Sequence, residues 1–444
     1  MENDLKSFAH RLTQPWLSHG SEPLNATFTR TVSRIQALQQ SLGRPPIALI
    51  CEPKREPFLG HLLACIALHT PVFITHHQWR QPQWQQVAEH VSPDLFLGDK
   101  PWLFSSTKIE YKLPFYGTVM IPTGGSAGHI KFAIHTWSTL TAAVRSLCTF
   151  LQTPTLHAAC TLPLYHVSGL MQAIRTFYTN GQLLLTDYKT LAVDWPQHRP
   201  HNPTTTLSLV PTQLQRLIAT ASSRDLLKTF DILFLGGAAA DPALLEAARI
   251  HQLPIMLCYG ATETAAMIAA MPIPMFLEGQ PLAATLLPKV EAAIEHQQIQ
   301  VKAPSLCHGI YPHLFPPDTF MPTGDEGYLN DQGNLVVRGR IDRLINTGGE
   351  KVDPLAVETA IRSTGLVDAC MIVAEKDAHW GQTVVALYRP SASFQTQPHL
   401  ETALKALLPN YQIPKIWRQV AALPLTRHGK PDRQQIDAIL GRLD

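Results

Sequence analysis

The 444-residue sequence is 45% hydrophobic and 16% charged, which describes a well-packed soluble chain rather than a disordered one. Its length predicts roughly three domains or lobes. Thirty-six Lys+Arg against 34 Asp+Glu leave a formal charge of only +2, and no basic run is interleaved with aromatics, so nothing here supports a nucleic-acid partner.

The opening MENDLKSFAHRL is charged from its second residue, unlike a secretory leader or an organelle transit peptide. The longest apolar stretch, 265–277, is short and broken by prolines, so no membrane span is expected. Seven scattered cysteines without a CxxC pair suit neither a disulfide frame nor a zinc site and point to a reducing cytoplasm.

From about residue 45, short apolar runs alternate with helical patterns. PIALICE reads as a strand, FLGHLLACIALH as a buried helix and PVFIT as the next strand. LFLGD, TVMIPT, KFAIHT, HAACTLPL, QLLLTD, TLSLV, DILFLGG and IMLCYG follow, with helices expected at Ser138–Gln152, Pro211–Ala221 and Asp241–His251. Such alternation predicts an α/β fold with mostly parallel sheets covered by helices, whose sites form where strand ends run into loops. Near residue 325 the character shifts. GYLNDQGNLVVRGR predicts an antiparallel hairpin, followed by a helix at about 353–363, the run ACMIVA, the strand TVVALYR and a helix near 399–408. We expect a large N-terminal domain over 1–338 and a small C-terminal α+β domain over 341–444, with the boundary at the hairpin's end near 339–342.

The segment MIPTGGSAGHIKFAIHT, residues 120–136, places three glycines and two hydroxyls shortly before Lys131. It lacks both the GxxxxGK spacing of a P-loop and the GxGxxG of a dinucleotide fold. The chemistry is still suited to phosphate, because bare backbone amides can approach an anion while Thr123, Ser126 and Lys131 donate to it. A surface turn with an incidental lysine is the plain alternative for this loop alone.

Four further segments follow in order: YGATE at 259–263, TGD at 323–325, GRID and NTGGEKV within 339–352, and PLTRHGKPDR at 424–433. The array resembles the adenylate-forming superfamily of acyl-CoA synthetases, adenylation domains and luciferases, over about residues 115–433. The resemblance implies ATP, Mg2+ and coenzyme A as ligands, and an acyl-adenylate intermediate. The outer phosphates would lie on Thr123, Gly125, Ser126, Gly128 and Lys131. Gly124, Ala127 and Ile130 depart here from the common TSG(S/T)TGxPK pattern, which leaves fewer hydroxyl donors.

By the same resemblance Tyr259 would stack on adenine, beside a flat slot left by Gly236, Gly237 and Ala238. Thr262 would meet the α-phosphate and Glu263 would ligate Mg2+. Asp325 would hold the ribose hydroxyls with help from Arg340, Asp342 would be the hinge, and Lys430 the adenylation lysine. Gly348 and Gly349 would line the pantetheine tunnel after the small domain rotates. Read without the array, Glu263 and Lys430 are solvated charges and Asp342 is a turn residue.

LPLYHVSGL at 162–170 resembles the PLFHVSGL signature of 2-succinylbenzoate–CoA ligases of menaquinone or phylloquinone synthesis, as does SLVPTQLQRL at 208–217. That implies His166, Ser168 and Arg175 at the acid, with Arg175 neutralising the spare carboxylate. His166 and Arg175 would point apart on one continuous helix, so convergence requires His166 in a loop and Ser168 capping a helix that starts near Gly169. A surface salt bridge for Arg175 and a core role for His166 are the alternatives. Other readings are a ligase for another aryl or medium-chain carboxylic acid, an adenylation domain serving a carrier protein, and a catalytically dead nucleotide-binding homologue. A homo-oligomer is compatible with the sequence.

Overall fold

The computed structural model describes residues 2–99, 116–124, 130–200, 204–341, 345–347, 350–377, 380–426 and 431–441. Two seven-stranded sheets form the large domain. In the first, 95–98, 48–51, 72–74 and 118–124 run parallel, and 130–136 then returns antiparallel to 118–124. In the second, 183–185, 157–160, 205–209, 232–235 and 255–261 run parallel, and 266–271 returns antiparallel to 255–261. Both sheets therefore share a plan: a parallel centre closed on one side by a hairpin. Alternation alone left these hairpins unforeseen, because a strand buried on both faces reads the same in either direction.

Side-chain alternation explains the layering. Ala48 and Ile50 enter the core between the sheets, whereas Leu49 and Cys51 enter a second core on the other face. Helix Arg55–Ala67 lies in the central layer and is buried from Phe58 through Ala67, as its uniformly apolar sequence requires. Two N-terminal helices, Glu2–Thr13 and Glu22–Leu42, were absent from the strand-and-helix reading, yet Phe8, Leu12, Trp16, Leu24, Phe28 and Ile35 belong to that central core. The helix expected over Pro211–Ala221 ends at Leu217, and a separate helix spans Ala221–Leu227. No helix among the described residues is long and apolar enough to cross a membrane.

A four-stranded antiparallel sheet (291–295, 298–302, 321–329, 335–340) contains the anticipated hairpin. Its last strand continues to Arg340, two residues beyond the expected end of the large domain. The small C-terminal domain builds a five-stranded sheet around the antiparallel pair Val367–Asp377 and Gly381–Pro390. Helices Pro354–Ser363 and Gln397–Leu404 cover it, each opened by a side-chain cap, Asp353 and Thr396 respectively. Arg362 Nε approaches Asp241 Oδ2 to 2.7 Å, joining the small domain to the cap of helix Pro242–Ile250.

Candidate active site

The tips of the two sheet hairpins meet. In the first sheet Thr123 pairs with Lys131 across the mouth of the glycine loop, and the Lys131 side chain is exposed. In the second, the chain leaves strand Ile255–Ala261 through one turn of 3-10 helix at Thr262–Thr264 and re-enters at Ala266. Thr123 Oγ1 donates to Glu263 Oε1 at 3.2 Å, so the hydroxyl of one motif orients the carboxylate of the other.

The turn that carries Thr262 and Glu263 is tightly specified. Ala265 and Ala266 both take left-handed φ, +53° and +76°, which non-glycine residues adopt only when their surroundings hold them there. The buried Thr264 hydroxyl accepts from the Ala261 amide at 2.8 Å and reaches the Ala266 carbonyl at 2.5 Å. Cys307 N donates to the Glu263 carbonyl at 2.8 Å. Gly260 is required by contact, since a Cβ there would lie 1.8 Å from the Ala266 carbonyl oxygen.

Tyr259 and Asp325 are joined directly, the phenol donating to Oδ2 at 2.6 Å. Burial first, then the Asp325 charge, pushes the Tyr259 phenol far up, so it remains a donor. Asp325 sits opposite Arg340 in the strand register, with Arg340 Nη1 3.7 Å from Oδ1 and donating to the Thr323 carbonyl at 3.1 Å. Gly236 abuts the same strand end as Tyr259: a Cβ there would be 3.0 Å from the Cys258 carbonyl oxygen. Gly237 has φ +81°, and Gly237 and Ala238 are both exposed. Thr123, Glu263, Thr262, Tyr259, Asp325, Arg340 and the Gly236 slot thus form one connected group.

The residues expected at the acid depart from the sequence reading in where their helix begins. Helix Val167–Tyr178 begins two residues earlier than Gly169, and its cap is His166, in extended conformation and without a side-chain cap bond. Ser168 is already helical and does not cap. Its place is fixed by packing, because a Cβ on Gly169 would come within 2.2 Å of the Pro163 carbonyl oxygen. His166 does lie on the non-helical side, with its ring 4.8 Å from that of Tyr165.

Arg175 is only 6% exposed, and its guanidinium lies 5.5 Å over the ring of Phe234, two residues before the glycine slot. Nε is buried without a partner, and no hydrogen bond or ion pair reaches the guanidinium from the described residues. Burial lowers its pKa to about 10, partly offset by the thiols of Cys258 and Cys148. This is the reverse of a surface salt bridge. Leaving a cation buried and uncompensated costs several kcal/mol unless an anion joins it.

Gly125, Ser126, Gly128, Asp342, Gly348, Gly349 and Lys430 lie outside the described residues. Among those that are described, no group of three or more His, Cys, Asp or Glu could hold a metal ion. Sequence reasoning missed His135 and Cys307, and read Thr264, Ala265 and Ala266 only as small residues that leave a roomy pocket. A histidine inside the apolar run KFAIHT was the one available signal, whereas nothing marked the two left-handed alanines.

The profile of AMP-binding enzymes matches residues 114–305, and that of the AMP-binding enzyme C-terminal domain matches 356–430. The chain belongs to the AMP-binding enzymes. Among characterised members of this family, the 2-succinylbenzoate–CoA ligase of Staphylococcus epidermidis is 28% identical over 286 residues, 62% of this chain. That match spans 60% of the Staphylococcus protein's own length. The corresponding ligase of Listeria innocua is 29% identical over 79% of this chain and 73% of its own.

Among solved structures, the o-succinylbenzoate CoA synthetase of Bacillus subtilis with its OSB-AMP acyl-adenylate superposes with a TM-score of 0.76 at 22% identity. The pair covers 93% of this chain and 92% of that one. ATP-bound MatB of Rhodopseudomonas palustris gives the same TM-score at 19% identity, with 93% and 92% coverage. The AMP-binding fold is thus common to both, and overall shape does not select the acid.

Proposed function

We propose that this AMP-binding enzyme joins 2-succinylbenzoate to coenzyme A through an acyl-adenylate, as a step of menaquinone or phylloquinone synthesis in a reducing cytoplasm. The observation that carries the substrate is Arg175, a buried guanidinium with no protein anion beside it. A dicarboxylic acid has one carboxylate to react and a second to place against such a cation. The ligases named above support the same choice, and the absence of disulfides among the seven cysteines supports the compartment.

On this reading the connected group binds the nucleotide. Asp325, which accepts from Tyr259, takes the ribose diol, with Arg340 alongside. The Gly236–Ala238 edge leaves room for the adenine ring against Tyr259. Thr262 takes the α-phosphate, and Thr123, Lys131 and the amides of the glycine loop take the outer phosphates. Glu263 would hold Mg2+, since a single carboxylate is an ordinary protein ligand for that ion beside a nucleotide. Bound there, the ion would supply positive charge against the phosphates.

Adenylation requires two anions to approach, so the chain's task is to hold the carboxylate in line and screen its charge. Arg175 anchors the spare carboxylate, His166 bounds the pocket and Lys430 bridges the reacting oxygens. Rotation about Asp342 then brings Gly348 and Gly349 in for thioester formation. The test is to mix enzyme, ATP, Mg2+ and coenzyme A with 2-succinylbenzoate, benzoate or octanoate separately and to seek each acyl-CoA by mass spectrometry. Thioester from 2-succinylbenzoate alone is expected. Thioester from another acid keeps the mechanism and overturns the substrate, and neither thioester nor pyrophosphate would make the chain a non-catalytic nucleotide binder.

A further inference from the structure

We propose that His135 is a positioning residue for the nucleotide half of the site: its Nε2–H holds the Thr262 carbonyl and thereby aims the Thr262 hydroxyl and the Glu263 carboxylate. The proposal rests on reading Thr262 and Glu263 as the phosphate- and metal-binding turn.

His135 lies on strand Ile130–Thr136, which leaves the glycine loop, and it is fully buried. Its Nε2 is 2.8 Å from the Thr262 carbonyl oxygen, 127 residues further along the chain. A carbonyl only accepts, so the ring proton is on Nε2, and Nδ1 must be an acceptor. The hydroxyl of Thr139, 3.0 Å from Nδ1, supplies the complementary donor. Thr139 Oγ1 in turn accepts from the Thr136 amide at 3.0 Å, at the cap of helix Trp137–Leu151. A continuous chain of hydrogen bonds therefore runs from a helix terminus, through the imidazole, to the turn. Burial lowers the His135 pKa to about 4, which keeps the ring neutral and this donor pattern in place at neutral pH.

The geometry explains why the turn benefits from this strap. Among the described residues, Thr262 O otherwise accepts only from Ala265 N, at 3.2 Å, within the same strained turn. Thr264 ties the turn to itself, whereas Cys307 fixes the Glu263 carbonyl and, through His308 N donating to the Ile134 carbonyl at 2.8 Å, links that carbonyl to the hairpin strand by a longer route; neither holds the Thr262 carbonyl itself. Among the described residues, two hydrogen bonds cross directly between the hairpins here, Thr123 to the Glu263 side chain and His135 to the Thr262 backbone. The first is a partly buried side-chain pair that ligand binding would rearrange. The second joins a fully buried imidazole to backbone rather than to a ligand-facing side chain.

Leucine at 135 keeps much of the volume and loses the donor, whereas glutamine can present an amide N–H near the Nε2 position. His135→Leu is expected to raise KM for ATP and lower ATP–pyrophosphate exchange by about tenfold each, the scale of one buried hydrogen bond. KM for the acid should move less than about twofold, and His135→Gln should recover exchange to within about threefold. Should the leucine variant fail to fold, His135→Asn replaces it, since its shorter amide falls at the Nδ1 side. ATP affinity measured calorimetrically gives a readout independent of turnover. An unchanged KM for ATP in a folded variant, or equal losses in the Leu and Gln variants that follow their Tm, overturns the proposal. Thr262→Ala and Glu263→Gln separate the two levels. If both retain ATP affinity and exchange, the reading of the nucleotide site fails. If both lose them while His135→Leu does not, only the positioning role fails.

Discussion

The turn at 259–266 and the helix at 167–178 solve opposite problems. In the turn, carbonyls, hydroxyls and carboxylates are tied to protein partners, and even strained alanines are held in place. On the helix, Arg175 is buried over the Phe234 ring and lacks a hydrogen-bond or ion-pair partner among the described residues. A site that must present fixed dipoles to a triphosphate gains from being assembled in advance. A site that must select a dianionic acid gains from an unmet charge, because a ligand without the matching group leaves that cation buried alone. On the proposed reading, self-satisfied geometry on one side and an unsatisfied cation on the other would divide affinity for the common cosubstrate from specificity for the acid.

Four perturbations would break or sharpen that contrast. Lys430→Ala should lower adenylation by about 10² to 10³-fold, since removing one donor to transition-state charge costs about 2.7–4 kcal/mol, while ATP binding stays near normal. Single-turnover adenylate formation alongside calorimetric ATP titration checks this, and near-normal turnover would remove the lysine from the mechanism. Gly349→Leu should leave pyrophosphate release intact and block thioester formation. Assaying the two half-reactions separately decides it, and equal loss of both would count against a tunnel there.

Tyr259→Phe should have a smaller effect. It deletes the donor to Asp325 while keeping the ring, and a hydrogen bond to a charged group is worth about 1.5–3 kcal/mol, so KM for ATP should rise roughly tenfold with little change for the acid. Kinetics in ATP and in acid separately would show whether the loss is confined to the nucleotide side.

The smallest effect concerns stability. His61 is 8% exposed, bonded to Thr31 Oγ1 at 2.7 Å, and held down to about 4 by burial and then by Arg34 and Arg30. The 3.9 Å approach of Glu52 is therefore not an ion pair at neutral pH. Because the folded pKa lies below the unfolded value of about 6.5, the unfolded state binds the extra proton between them. The stabilisation is complete above about pH 6.5 and is lost as the pH falls towards 4. Tm measured across that window should decline, and His61→Gln should flatten the decline. An unchanged slope would assign the acid sensitivity to other groups.

Much of this was legible in the sequence because it is local. The strands around Ile50, Phe73 and Leu233, the helices that start after Asp241 and Asp353, and the ordered motifs each occupy a few consecutive residues. What escaped depends on distant pairing. The antiparallel return of 130–136 has the same alternation as a parallel strand, and the His135–Thr262 bond spans 127 positions. Placing Ser168 as a cap followed residue preference, but Gly169 packing against Pro163 brought the helix start forward to Val167. The N-terminal helices were hidden for another reason: Phe8, Trp16 and Phe28 are widely spaced among polar residues and acquire meaning only against the central core.

The most direct test of the account compares kcat/KM for 2-succinylbenzoate and for 4-oxo-4-phenylbutanoate, which lacks the ring carboxylate, in the native enzyme and in Arg175→Met. The account predicts that the native enzyme favours the dicarboxylate by about 10² to 10³-fold, corresponding to 2–5 kcal/mol for a buried charge pair, and that the variant loses most of that preference while keeping its KM for ATP. No preference in the native enzyme, or a preference that survives the substitution, would contradict it.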